Sequence, residues 1–295
     1  MKLALLGPEK REYSDLRLLK EAKQVFDNVT YFPLQKIVME FNEELNIFYR
    51  GKNITEYDVI LPRIPGNYME IGYTLLKFLK SAGCKLTISP EAVIYTHNKF
   101  LTLIMLAKAL VPVPSTYLSL KRSPLEMILE KIKYPVVLKI LHGCQGKGVM
   151  FADSKQSAVS IMDMLETFRQ PVFVEEYVKN PGEDIRALVV GDKVVVSMKR
   201  KAKKGERRAN IGVGGKGEKY ELTEEEKELV MKAAKVLGMG IAGVDMLKEK
   251  NKKPLIIEVN VYPGFKGLES ATGKNVAKEI INYAYSVATG EIKAF

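Results

Sequence analysis

Two acids and an amide near the C-terminus, Asp245, Glu258 and Asn260, offer the clearest chemistry in the chain. Asp245 lies in the apolar run Ile241 to Leu247, and Glu258 lies in Leu255 to Val259. If these runs form a hairpin turning near Asn251 and Lys252, Asp245 stands opposite Glu258. Asn260, two residues on, then points to the same face. Carboxylates facing each other across strands repel, and a divalent cation reverses that sign. Two acids and an amide oxygen are hard ligands suited to Mg²⁺, which completes its shell with water and phosphate oxygens. The ordinary alternative is a pair of acids pointing to solvent from an edge strand; the strongly apolar flanks turn the reading toward metal.

Lys139 places an ammonium inside the apolar run Val136, Val137, Leu138, Ile140, just before the glycine-rich stretch His142 to Gly148. A glycine loop between strands can fold over an anion as a flap while the lysine supplies a point charge. An ordinary glycine-rich hairpin turn fits equally well. The phosphate-loop pattern GxxxxGK[ST] fails, because Val149 follows Gly148 and no helix begins there. A GxGxxG at Gly212, Gly214 and Gly217 lacks the strand before it and the helix after it, so the dinucleotide reading falls. The basic run Lys199, Arg200, Lys201, Lys203, Lys204, Arg207, Arg208, ending in Asn210, fits either a nucleic-acid-binding loop or a triphosphate clamp. Arg186 can meet a phosphate or carboxylate with bidentate geometry, or form a structural ion pair. Glu175, Glu176 and Tyr177 close an apolar strand that could supply an adenine slot.

The elements that must position these groups can be read from periodicity. Leu3 to Leu6, Asp58 to Leu61 and Cys84 to Ile88 read as strands, alternating with helices near Leu16 to Phe26 and Ile71 to Ala82. This predicts a small parallel-sheet α/β domain. A helix over Lys99 to Leu110 ends at prolines 112 and 114. A β-rich region follows: strands at Pro135 to Ile140, Gly148 to Phe151 and Val172 to Tyr177, with a helix at Lys155 to Phe168. A hairpin joins Ile185–Val190 to Lys193–Met198 through Gly191 and Asp192. Thr223 and Glu226 form a capping box for a helix to about Leu237. The last helix spans about Asn275 to Val287.

The chain has 295 residues, 46% hydrophobic and 27% charged, enough for roughly two domains with cores of their own and not a composition of disorder. Two cysteines and two histidines exclude a disulfide framework and make zinc an unsuitable metal. The opening run Leu3 to Leu6 is too short for a signal or a membrane span, so a cytoplasmic protein without membrane contact is expected. The net charge of +11 fits polyanionic partners without choosing among them.

The chain resembles the RimK-like glutamate ligase branch of the ATP-grasp superfamily over nearly its whole length. The resemblance rests on the order of LPRI at Leu61, NKFLT at Asn98, VPVPST at Val111, PVVLK with GCQGKGV from Pro135, VEEYV, EDIRALVVGDKVV, RRAN, LTEEE, AGVDML, EVNVYPGFKGLE and TGKNVA. It implies an α/β (α+β) fold. An N-terminal pre-ATP-grasp α/β domain over 1–95 would precede an ATP-grasp domain over 96–295, divided into a flap-bearing part, 96–176, and a metal- and phosphate-binding part, 177–295. Carried over by position, Lys99 and Lys139 would contact phosphates. Gln145, Gly146 and Gly148 would belong to the flap, and Glu176, Tyr177, Val178 and Asp184 would hold adenine and ribose. Arg208 and Asn210 would approach the γ-phosphate and metal. Asp245, Glu258 and Asn260 would bind two Mg²⁺ or Mn²⁺ ions, with Glu258 bridging, and Arg186 would serve the acyl-phosphate and acceptor site. The chain departs from the family pattern at Asn98, Cys144 and Tyr262, where Asp, Ser and a small residue are usual.

The resemblance also implies ATP-dependent joining of a carboxylate to an amine through an acyl phosphate. L-Glutamate is the expected amine, and the acceptor is a protein C-terminus or the glutamyl tail of a coenzyme. Acceptor choice is expected to rest on Arg63 to Asn67 and Tyr262 to Glu269. The alternatives are a ligase for the amino-group carrier protein of lysine or arginine biosynthesis, and a non-catalytic basic nucleic-acid-binding protein. The intact Asp245, Glu258 and Asn260 set argues against the last. The acceptor's identity and the oligomeric state, a homo-oligomer included, are left open.

Overall fold

The computed structural model describes residues 1–43, 45–141, 148–180, 182–211, 214–249 and 252–295. The expected flap residues Gln145 and Gly146, with His142, Gly143, Cys144 and Lys147, lie outside the described residues, as do Gly212 and the turn residue Asn251.

The chain opens with β1 (Lys2–Gly7), α1 (Tyr13–Ala22) and β2 (Asn28–Pro33), then three short strands, β3 (Val38–Phe41), β4 (Leu45–Tyr49) and β5 (Lys52–Asn53). It returns through β6 (Val59–Pro62) to α2 (Met69–Ser81). β2, β1 and β6 form a parallel sheet in that order, whereas β3, β4 and β5 form a separate antiparallel one. The expected strand Cys84 to Ile88 contributes two isolated bridges, Leu86 to Ile60 in parallel and Ile88 to Met239 in antiparallel sense. Leu86 and Ile88 are nevertheless fully buried, so their apolar pattern serves packing without a ladder.

Next come α3 (Pro90–His97), α4 (Lys99–Lys108), β7 (Thr116–Ser119), α5 (Glu126–Lys131), β8 (Val136–Lys139), β9 (Val149–Ala152), α6 (Lys155–Thr167) and β10 (Val172–Glu176). Asn98 starts α4 by accepting the Leu101 N–H at 3.1 Å, and Ser154 caps α6. The strands make a four-stranded antiparallel sheet in the order β7-β10-β8-β9. Alternation divides its faces. Val136, Leu138, Val172 and Val174 pack on Leu125, Leu129 and α6, leaving Val137, Lys139, Phe173 and Glu175 for the other side.

The third part holds β11 (Glu183–Val190), β12 (Lys193–Lys201), β13 (Lys216–Lys219), α7 (Glu224–Val236), β14 (Ile241–Leu247), β15 (Leu255–Asn260), α8 (Lys266–Thr272) and α9 (Val276–Thr289). Its sheet runs β13-β12-β11-β14-β15, all antiparallel. Thr223 and Glu226 form the expected capping box of α7, with reciprocal bonds of 3.3 and 3.0 Å. One face of this sheet, carrying Ile185, Ala187, Val189, Val244 and Met246, shares a core with α7 and the N-terminal layer. On the other face, Leu188, Val190 and Ile241 pack against α9, and the remainder carries Asp184, Arg186, Arg200 and Asp245. The same face is therefore apolar at one end and charged at the other.

Candidate active site

The charged end of the five-stranded sheet faces the Lys139 side of the four-stranded sheet across a cleft of about 870 Å³ that is partly open to solvent. The strand register explains why the chemistry collects there. Asp184 pairs with Arg200, Arg186 with Asp245, and Asp245 with Glu258. A staggered row, stepping by two residues along β11, thus brings charged side chains from four adjacent strands together on one face. The opposition of Asp245 and Glu258 is the one anticipated from sequence, with a bulge immediately beside it that shifts the pairing to Met246–Ile256.

Asp245 is 1% exposed and accepts from Arg186 through Nε and, at 2.7 Å, through Nη2. Arg200, 4% exposed, donates to both Asp184 oxygens at 2.5 and 2.8 Å and lies 3.0 Å from Asp245 Oδ1. Burial pushes the Asp245 carboxyl upward, but the two guanidiniums outweigh it and hold the group below the ordinary aspartate range. Burial dominates at Asp184 and raises it despite Arg200. Glu258 accepts from Lys99 Nζ at 2.9 Å. Lys99 stands at the first turn of α4, which crosses toward β15.

On the opposite wall Lys139, only 9% exposed, donates to Glu175 Oε1 at 2.6 Å, and Glu175 Oε2 is buried with no partner among the described residues. A carboxylate oxygen left unpaired inside a cleft is a ready acceptor for a ligand N–H. Glu176, Tyr177 and Val178 continue from β10 along the same wall. Arg208 and Asn210 reach the cleft from the loop after β12. Arg208 donates to Glu206 Oε2 at 2.6 Å, and that pairing lowers the Glu206 carboxyl to about 2. Arg207 lies over the rings of Phe151 and Tyr177, at 5.4 and 5.9 Å, and donates to Asp153 at 2.8 Å, so the basic loop closes on β9.

The fold therefore gathers Lys99, Lys139, Glu176, Tyr177, Val178, Asp184, Arg208, Asn210, Asp245 and Glu258 around one cleft. Gly148, Arg186 and Asn260 are not on its wall. Gly148 sits behind, with φ at +77° and room for no Cβ, since one would meet Ile140 at 2.0 Å. Arg186 and Asn260 flank Gly243, whose missing side chain leaves space for the Arg186 guanidinium 2.9 Å from where a Cβ would be. Among the described residues the Asn260 amide nitrogen is buried without a partner, as is the Tyr262 hydroxyl.

Glu175, Arg200 and Arg207, which the sequence names only within an adenine-slot strand end and a basic run, each take a place of their own at the cleft. Alternation along β10 places Glu175 on the face of Lys139, a signal available from sequence. Arg200 was hidden in a basic run that gives no sign of which member turns inward.

Among the described residues, no group of three or more His, Cys, Asp or Glu side chains gathers as a metal cage. Two carboxylates and one amide suit a hard cation that takes its other ligands from water and phosphate, so the donor set fits Mg²⁺. Also among the described residues, no helix is long and apolar enough to cross a membrane.

The architecture is shared with solved ATP-grasp ligases. The ligase PsnB complexed with a minimal precursor, Mg and ADP superposes with a TM-score of 0.77, at 16% identity over 97% of each chain. The D-alanine–D-alanine ligase of Bacillus anthracis complexed with ATP gives 0.70, at 18% identity, covering 99% of this chain and 98% of that one. The fold is an ATP-grasp fold. The model of the RimK-like ATP-grasp domain matches residues 96–284, and that of the RimK pre-ATP-grasp domain matches residues 1–93. Probable alpha-L-glutamate ligases of Pseudoalteromonas translucida and Legionella pneumophila are 34% and 36% identical, covering 99% and 96% of this chain and 97% and 95% of their own lengths. The chain belongs to the RimK-like ATP-grasp family of carboxylate–amine ligases.

Proposed function

We propose that this protein joins L-glutamate through its amino group to a carboxylate on a protein C-terminus or a glutamyl-tailed coenzyme, using ATP. The observation that carries the reading is the in-register Asp245–Glu258 pair facing Lys99, Lys139 and Arg208 across a cleft. The 34–36% identical relatives named as probable alpha-L-glutamate ligases support the choice of amino acid.

Val178 and Tyr177 would flank adenine, and Glu175 Oε2 would accept from its exocyclic amine. Asp184 would meet the ribose. Lys99, Lys139, Arg208 and Asn210 would neutralise the phosphates, and Gly148 would anchor a flap that includes Gln145 and Gly146. Asp245, Glu258 and Asn260 would hold two Mg²⁺ ions, with Mn²⁺ able to replace them. When bound, the metal neutralises charge developing on the β- and γ-phosphate oxygens.

The chemistry must overcome the poor electrophilicity of a carboxylate. An acceptor carboxylate oxygen attacks the γ-phosphorus, the bond to the β-phosphate oxygen breaks, and ADP leaves an acyl phosphate. The glutamate amine then attacks the acyl carbon, the C–O bond to phosphate breaks, and the ammonium proton of the new bond is lost as the amide forms. Arg208 would stabilise charge on the transferring phosphoryl group, and Arg186, oriented by Asp245, would steady the acyl oxygen. Nearly all of the protein's contribution is positioning and charge neutralisation.

The basic run does not favour nucleic-acid binding. Arg200 is buried in the site, and Arg208 is paired with Glu206. The test is ADP release with ATP, Mg²⁺ and each amino acid in turn against candidate carboxylate acceptors, with mass spectrometry of the acceptor. A mass gain of one or more glutamyl units is expected; no glutamate-dependent ADP release with any acceptor would overturn the assignment.

A further inference from the structure

Each acid of the candidate metal site is neutralised by a cation of the chain. Asp245 is held by Arg186 and Arg200, and Glu258 by Lys99. With Asp184 included, three cations face three carboxylates, so the row is formally neutral. A divalent ion entering alone would add two positive charges beside Lys99, Arg186 and Arg200, and to take either Asp245 oxygen or Glu258 Oε1 it would have to break an ion pair.

The members of the row differ in how readily they can move. Arg200 is buried and Arg186 half-buried, and each guanidinium makes bidentate or bridging bonds that lock its orientation. Lys99 makes one bond, to a Glu258 side chain that is 29% exposed, from a long flexible stem at the mouth of α4. Its backbone is fixed by the Asn98 cap, and Asn98 is neutral, so the cap adds no second anion to hold the ammonium. Lys99 also lines the cleft in which phosphates would lie.

We infer that Lys99 is a placeholder for the metal: it occupies Glu258 until a nucleotide's phosphates draw it away, so metal and nucleotide enter the site together. This rests on the nucleotide–metal reading of the cleft and adds the binding order. Because linkage is reciprocal, nucleotide then tightens metal and metal tightens nucleotide by the same factor.

The probe is Mn²⁺, followed by the electron paramagnetic resonance signal of the free ion, with and without ADP. The unaltered protein leaves the signal intact when mixed with Mn²⁺ alone and, once ADP is added, quenches it beyond the loss that the same ADP causes in protein-free buffer. Lys99→Met, which empties Glu258, binds Mn²⁺ without nucleotide at least about tenfold more tightly than the unaltered protein, as expected for removing a unit charge beside a divalent ion. Its Mn²⁺–ADP coupling falls below that of the unaltered protein, and adding Glu258→Gln abolishes the gained Mn²⁺ binding. Lys99→Gln serves in its place should the methionine variant fail the circular dichroism check. The inference is overturned if the unaltered protein binds Mn²⁺ equally well with and without ADP, or if emptying Lys99 gains nothing. If no Mn²⁺ binds even with ADP, the nucleotide–metal reading falls as well.

Discussion

Arg200 is where stability and function meet most directly. It is almost wholly buried, donates twice to Asp184 and once to Asp245, and shares Asp245 with Arg186. Arg200→Met removes the only guanidinium bonded to Asp184 among the described residues while leaving Asp245 its second partner. Breaking a buried pair by removing one member costs about 3–5 kcal/mol. The lower end applies here, because an abandoned Asp184 can take a proton. At roughly 2–4 °C per kcal/mol, the melting temperature at pH 7 should fall by about 6–12 °C. The sign of the pH dependence is fixed. Unpaired and buried, Asp184 has a folded pKa raised above its unfolded value, so its penalty is full at neutral pH and shrinks as pH falls through that raised value. Scanning calorimetry at pH 7 and pH 5 reads both effects, and Arg200→Met with Asp184→Leu should recover most of the loss. A single variant melting within 2 °C of the parent at pH 7 would refute this account of the charged row.

Other substitutions separate the roles in the cleft. Glu175→Leu should raise the ATP KM about tenfold and narrow the preference for ATP over GTP in competition binding, since the carboxylate that accepts from adenine would oppose the guanine oxygen. Asp245→Asn and Glu258→Gln should each lower kcat by at least about a hundredfold in ADP-release assays with little change in melting temperature for Glu258, which is partly exposed. The Ser89 hydroxyl, with help from Lys77, holds Glu91 down at about 2. Its stabilisation is full above the unfolded value near 4.3 and is lost as pH falls toward 2. Because this side chain is 36% exposed, Glu91→Gln should cost about 1 kcal/mol or less at pH 7, and the difference should close in acid melts.

The opposition of Asp245 and Glu258 was legible because apolar alternation fixes which side chains share a face, and the turn length fixes the register. The capping box at Thr223 and Glu226 was legible because its partners are local. β2, at the edge of the N-terminal sheet, was not, because Asn28 and Thr30 interrupt its apolar pattern. The small β3–β5 sheet escaped notice for another reason: all four residues of β3 are exposed, so no buried face marks it. Cys84 to Ile88 showed the reverse error, in which burial produced a strand-like pattern that makes isolated bridges and no ladder. At the site, the acids and lysines could be named from sequence, but their partners could not. Whether Arg200 or Lys201 turns inward depends on how far β12 extends, and only its pairing with Asp184 and β13 decides that.

The most direct test of the central claim is anomalous diffraction from crystals grown with ADP and Mn²⁺. The account predicts a manganese peak at ligand distance from Asp245, Glu258 and Asn260, with adenine beside Val178 and Lys99 turned from Glu258 to phosphate. A peak elsewhere, or nucleotide bound with Lys99 still on Glu258 and no metal between the carboxylates, would contradict it.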